Sequence, residues 1–328
     1  MRIPALNIPV KIALSIGIVA LLVSRMDMSA IGAQFAKVHS VGLIWAGVFI
    51  LSQIGLLAWR WKDLINIDHD GPALTYKQSL KITLASLLAN VLFITSISGL
   101  VVRVGLTLHH GVTLTKSICA AIVDRLMTLM ALMILAALFV PFFDRFVGEA
   151  LHSAAYATMA VLAFTALIFT PVFYSRAIKD LVRSIPKLSA CADYVLAMRR
   201  DKATFIRIVI NSLSAQIFYF VSVFFIALSA GADFTFLDLL SVLPVITLVA
   251  SLPVSFGGWG VREGAFVYGL GLIGIPMEMA FVISIEIGLL TMLATIICGI
   301  PALLSMDMQR ISQDIKRLMN KDKPAGQA

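Results

Sequence analysis

The chain has 328 residues, 60% of them apolar and 13% charged, with a mean hydropathy of +0.97 and a formal net charge of +8. A soluble domain carries about 25% charged residues, so the composition excludes a water-soluble globule and indicates a polytopic membrane protein. The surplus of lysine and arginine reads as a cytoplasmic coat facing anionic lipid, and nucleic acid is not an expected partner.

A helix needs about 20 apolar residues to cross the hydrocarbon core of a bilayer. Windows without an ion run over 12–24, 41–59, 82–102, 126–143, 151–175, 208–232, 239–261 and 287–306. The first is short and follows Lys11, as the core of a signal peptide would; its cleavage pattern is poor and a membrane bundle follows, so an uncleaved first span is expected. Trp45, Trp59, Trp61 and Tyr174 read as anchors at the membrane interfaces.

Basic residues set the orientation, because short loops rich in lysine and arginine stay in the cytoplasm. Arg2 and Lys11 put the N-terminus inside, as do Arg60, Lys62, Lys77 and Lys81 for the next loop. The set from Arg176 to Arg207 and the tail from Arg310 to Lys323 are inside as well. Loops near Asp144 and near Asp233 and Asp238 are poor in basic residues and fall outside.

Parity then constrains the crossings. The segment from Lys77 to Lys116 begins and ends inside, so it is a hairpin, and "TSISGLVVRVGLTLHHG" is too short and polar for a second full span. It reads as re-entrant, with a break near Ser96 to Gly99. Residues 236–275 form a second hairpin that begins and ends outside, broken at "PVSFGGWGVREGAFV". Ser96, Gly99, Arg103 and Gly105 fall on Ser255, Gly258, Arg262 and Gly264 at a constant offset of 159. The expected fold is an all-α membrane protein of about six full spans plus two re-entrant hairpins, arranged as an inverted-topology repeat: residues 1–143, then 151–306, with a basic tail over 307–328. Glycine lets a helix stop and turn inside the membrane, which gives Gly99, Ser255, Gly257, Gly258 and Gly260 a backbone role. Close helix packing is the alternative for Gly257 and Gly258.

Ions within these segments are few. An ionised side chain at the centre of a membrane helix costs about 2.5–3.5 kcal/mol on insertion scales, so each needs a partner, a cavity or a shallow position. Asp124 and Glu286 lie roughly 15 Å from the start of their helices, near the bilayer centre. Asp124 and Arg125 are sequence neighbours about 100° apart on a helix, so each bonds elsewhere, as glue between helices or as a ligand site. Arg103 and Arg262 form a candidate phosphate receptor, with snorkelling to the interface as the alternative. His109 and His110 read as interfacial. The scattered Cys119, Cys191 and Cys298 suggest neither a disulfide framework nor a metal site. No phosphate-cradling glycine loop is present, and no cofactor or metal is expected.

"AWRWKDLI", "SGLVVRVGL", "AAIVDRLMTLMALMIL" and above all "PVSFGGWGVREGAF" resemble the successive signatures of a flippase-like family that also forms the transmembrane region of lysylphosphatidylglycerol synthases. The likeness covers roughly residues 8–306. It implies that Arg60, Arg103, Asp124, Arg125, Gly257, Gly258, Gly260, Arg262 and Glu263 are the family's polar positions. Members are associated with moving, or supporting the use of, lipids with phosphate or sugar headgroups. Two departures stand out. Leu100 occupies a place where the first hairpin of the family usually carries an acid, and only a basic tail follows Met306, so lysylphosphatidylglycerol synthesis by this chain alone is not expected.

The resulting expectation is a lipid translocase of a bacterial cytoplasmic membrane, with both termini inside. Its substrate is an anionic phospholipid or a polyprenyl-linked sugar, drawn into a polar cleft between the two hairpins. Arg103, Arg262, Glu263, Asp124, Arg125, Glu286 and Arg60 are its candidate substrate-binding residues, and no catalytic residue is expected. The alternatives are an intramembrane transferase using Asp124 or Glu263 as general base, and a helper subunit of a glycosyltransferase or lipid synthase.

Overall fold

The computed structural model describes residues 8–37, 39–67, 73–93, 96–146, 189–251 and 259–306. Among them the chain is helical throughout: α1 (Ile8–Val23), α2 (Met28–Lys37), α3 (Ser40–Ile65), α4 (Tyr76–Phe93), α5 (Ser96–His109), α6 (Leu114–Phe139), a 3₁₀ segment (Val140–Phe146), α7 (Ser189–Arg200), α8 (Lys202–Ser229), α9 (Phe236–Ala250), α10 (Val261–Gly271) and α11 (Met277–Leu304). Four of these, α3, α6, α8 and α11, are long and apolar enough to cross a membrane. The predicted first span over 12–24 falls on α1, which bends by 92° into α2; together the two are apolar enough to count as one broken span. The predicted span over 151–175, with Tyr174, lies outside the described residues, as do Asp144's side chain and the tail after Met306.

The chain divides into two compact units. One comprises Met1–Gln53, Thr128–Thr170 and Ser212–Ala294; the other comprises Ile54–Met127, Pro171–Asn211 and Thr295–Ala328. Each long helix has residues in both. Within the first unit, α3 and α8 are held by aromatic rings: Phe49 meets Phe218 edge-on at 5.5 Å and stacks on Phe225 at 5.7 Å. Such pairs add about 0.5–1.5 kcal/mol beyond the area they bury. The two helices approach closely at Gly42, where a Cβ would meet Ser229 and the Phe225 carbonyl. Asp238, expected in an outside loop, begins α9. Its carboxylate accepts the Thr235 N–H at 2.9 Å while its own N–H donates to the Thr235 hydroxyl, a reciprocal cap worth about 1 kcal/mol.

In the second unit, α4 and α5 pack together, and α4 is tied to α3 by the Ser79 hydroxyl donating to the Ala58 carbonyl at 2.7 Å. Part of the predicted basic loop is ordered helix here. The Tyr194 hydroxyl of α7 donates to the Leu64 carbonyl at 2.6 Å, and Arg207 pairs with Asp63 at 3.3 Å. Cys119 of α6 and Cys191 of α7 form a disulfide, which corrects the reading of the cysteines as scattered and unconnected. Seventy-two residues separate them in sequence, and no local spacing signals the contact.

Replacing Gly42 by valine is expected to push α8 off α3 and destabilise the protein by about 1–3 kcal/mol, the usual cost of overpacking. Thermal unfolding in detergent reads the change; an unaltered melting temperature would show that this contact is loose.

Candidate functional site

The first constellation lies in the second unit and is built from four helices. α4 ends at Phe93 and α5 starts at Ser96, so Ser96 to Gly99, expected near a break, form the first turn of α5. The reason lies on α4, where the Asn90 carboxamide oxygen accepts the Gly99 N–H at 2.7 Å and the Ala89 carbonyl accepts the Ser98 hydroxyl at 2.9 Å. A helix's first-turn N–H groups lack intrahelical partners, and a neighbouring side chain satisfies one of them here. Gly99 has to be glycine for space, because a Cβ would run into Asn90 and the Ser86 carbonyl.

Two turns along α5, Arg103 donates to Asp124 of α6 at 2.9 Å, and Arg60 of α3 donates to the other oxygen of the same carboxylate at 2.7 Å. Arg60 is 3% exposed, and Arg103 and Asp124 are each 14% exposed. One carboxylate thus bridges two guanidiniums. Arg103 also lies over the Trp61 ring at 4.9 Å and donates to the Ser86 hydroxyl at 3.3 Å. Trp61 is fully buried, which overturns its reading as an interface anchor; Trp45 and Trp59 are about half exposed. Trp61 Nε1 and Thr83 Oγ1, one turn from Ser86, are buried without a hydrogen-bond partner. Arg125 is exposed.

The second constellation lies in the first unit, at the start of α10. Ser255, Gly257 and Gly258 fall outside the described residues. Gly260 has φ +87°, a conformation that favours glycine, and its N–H donates to the Glu263 carboxylate at 2.5 Å. The other Glu263 oxygen accepts from Arg262 Nε at 3.0 Å and from its terminal nitrogen at 2.6 Å. Glu263 is fully buried, and Arg262 is 21% exposed. The guanidinium lies over Trp259 at 4.6 Å. Its far side rests on Gly288 of α11, where a Cβ would collide with it. Ser284, one turn before Gly288 on the same helix face, is buried with its hydroxyl unpartnered.

The offset of 159 therefore finds the two arginines but not their surroundings. Arg103 stands in the second turn of α5 and Arg262 in the first turn of α10. Their partners come from unrelated positions: Trp61 and Asp124 from other helices, Trp259 and Glu263 from the arginine's own turn. Sequence reasoning missed Gly288, Ser284, Thr83 and the role of both tryptophans, and only the position of a glycine beside a mid-span carboxyl hinted at the first.

Glu286 is not brought to Arg262. Two residues from Gly288, it points about 200° away around α11 and begins the exposed stripe of Leu289, Leu293, Ile297, Ile300 and Leu304. Among the described residues no group of histidine, cysteine and acidic side chains is arranged to hold a metal ion.

With this geometry in place, comparison identifies the class. The family described as Lysylphosphatidylglycerol synthase TM region matches residues 8–299, and the chain belongs to it. It is a multi-pass membrane protein of a lipid-related family. No curated protein and no solved structure gives a match.

Removing one partner of a buried ion pair costs about 3–5 kcal/mol because the other charge is left unmatched. Asp124→Ala is expected to destabilise by at least that range, since two guanidiniums lose their counter-ion, and by more than Arg60→Ala. Paired thermal melts check the order; equal or negligible losses would mean the triad is solvated.

Proposed function

We propose that the protein is a lipid translocase that handles a phosphate-bearing headgroup at its buried arginines. The observation that carries this reading is the recurrence of one device: an arginine stacked on tryptophan, fixed by a single carboxylate and incompletely covered. We read α4–α5 and α9–α10 as re-entrant, which lets short helices deliver these arginines to membrane depth.

The chemistry follows from ligand exchange. Guanidinium binds carboxylate and phosphate in the same planar, charge-assisted fashion, so a phosphate can take the place of a carboxylate oxygen. The resident carboxylate keeps the arginine tolerable in lipid when no substrate is bound. It also competes with bound phosphate, so the headgroup is released instead of trapped. At the triad a phosphodiester takes the place of an Asp124 oxygen on Arg103; at the Arg262–Glu263 pair it binds when Glu263 gives way. Unpartnered hydroxyls at Thr83 and Ser284, with Trp61 Nε1, supply further donors for phosphate or sugar oxygens. The membrane supplies the substrate, and a lipid synthase or glycosyltransferase is the natural pathway partner. The positive-inside pattern and the family support a bacterial cytoplasmic membrane with both termini inside.

Reconstitution with headgroup-labelled phosphatidylglycerol tests the proposal. Arg262→Ala and Arg103→Ala are each expected to slow transbilayer movement at least tenfold. Gly288→Ala, which displaces the Arg262 guanidinium without removing it, is expected to give a smaller loss. A new covalent lipid product would support an intramembrane transferase instead. Full activity in both arginine variants, or no activity in the wild type, contradicts the proposal.

A further inference from the structure

A groove of about 420 Å³ runs beside α10 in the first unit, with the end of α1 as its other wall. Leu22 and Val267 make its apolar sides. Gly264 and Gly271 border open space: a Cβ at Gly271 would meet nothing within 4 Å, and one at Gly264 would come no nearer than 3.8 Å to Ile18. From Gly264 to Gly271 the helix rises about 10 Å, some two-thirds of the roughly 15 Å hydrocarbon depth of one leaflet. That length suits one acyl chain lying along the helix.

Two polar side chains belong to the lining, Arg25 and Tyr268, and both are exposed. Arg25 follows the apolar α1 where the chain turns through 92° into α2, the kind of boundary at which lipid headgroups begin. Its guanidinium has no hydrogen-bond or ion-pair partner among the described residues. By contrast Arg60, Arg103, Arg207 and Arg262 each hold a carboxylate. An apolar channel ending at a free cation and a phenol complements an amphiphile with an anionic head. Charge selects the head and the channel selects the tail.

We propose that this groove binds one anionic phospholipid, with its acyl chain along α10 and its phosphate on Arg25. The site deepens the proposed function, because α10 also carries Arg262; it rests on that reading for its use and not for its occupancy. The experiment uses the full chain in phosphatidylcholine vesicles containing a trace of phosphatidylglycerol with a photoactivatable acyl chain. After irradiation, labelled peptides are mapped by mass spectrometry. Label is expected on residues 21–25 and 264–272, removed by excess phosphatidylglycerol but not by excess phosphatidylcholine. Arg25→Ala is expected to cut it at least fivefold, Arg25→Lys to retain most of it, and Gly271→Trp, which fills the channel, to abolish it.

Equal labelling by a phosphatidylcholine probe, or label spread over all lipid-facing helices, would mean annular lipid only and overturn the inference. So would unchanged label in Arg25→Ala, an exposed position whose replacement leaves the fold intact, should Gly271→Trp fail to fold. Absence of groove label in the wild type, with headgroup movement intact, defeats this site alone. Retained label with normal movement in Arg262→Ala defeats the translocase reading alone.

Discussion

A guanidinium taken out of water is expensive, and the surroundings of Arg103 and Arg262 meet that expense. Arg103 shares Asp124 with Arg60 and lies over Trp61; Arg262 grips Glu263 and lies over Trp259. A cation over an indole face gains about 0.5–2 kcal/mol, more as water is removed, without adding a second negative charge. Each arginine is thereby held by a carboxylate and an indole face together. A purely structural ion pair is completed by its counter-ion. These arrangements leave buried donors over, at Trp61, Thr83 and Ser284.

The short helices α5 and α10 begin by different local means. α5 begins under the Asn90 carboxamide, which takes over the role of a cap from a separate helix. α10 begins at Gly260, whose left-handed backbone turns the chain and whose N–H is bound by the same carboxylate that fixes Arg262. Glu263 therefore links helix initiation to arginine placement, so any displacement of this carboxylate by a ligand also loosens the first turn of α10. The groove along α10 places a lipid-shaped space on the same short helix.

Much of this was legible in the sequence. Apolar windows marked the long helices, since crossing a membrane demands length and apolarity directly. The repeated spacing around Arg103 and Arg262 marked the arginines, and the motif at 253–266 marked the family. What stayed hidden depends on tertiary contact. No spacing rule pairs Arg60 with Asp124 across 64 residues, or Cys119 with Cys191 across 72. Trp61 resembled an interface anchor because an amphipathic ring suits both an interface and a cation's face; its burial decides between them. Asn90 drew no notice, yet its carboxamide binds the first turn of α5, which begins at Ser96. Glu286 looked equivalent to the other ions by depth, while its azimuth on α11 separates it from Arg262.

The central claim is that lipid phosphate reaches the buried guanidiniums. Solid-state NMR on arginine-labelled protein in phosphatidylglycerol bilayers measures this through dipolar dephasing of guanidinium carbon by lipid phosphorus, compared between the wild type and a variant with lysine at both 103 and 262. The account predicts a dephased arginine signal in the wild type that the variant lacks. Identical dephasing in the two proteins would place all phosphate contacts on surface arginines and contradict it.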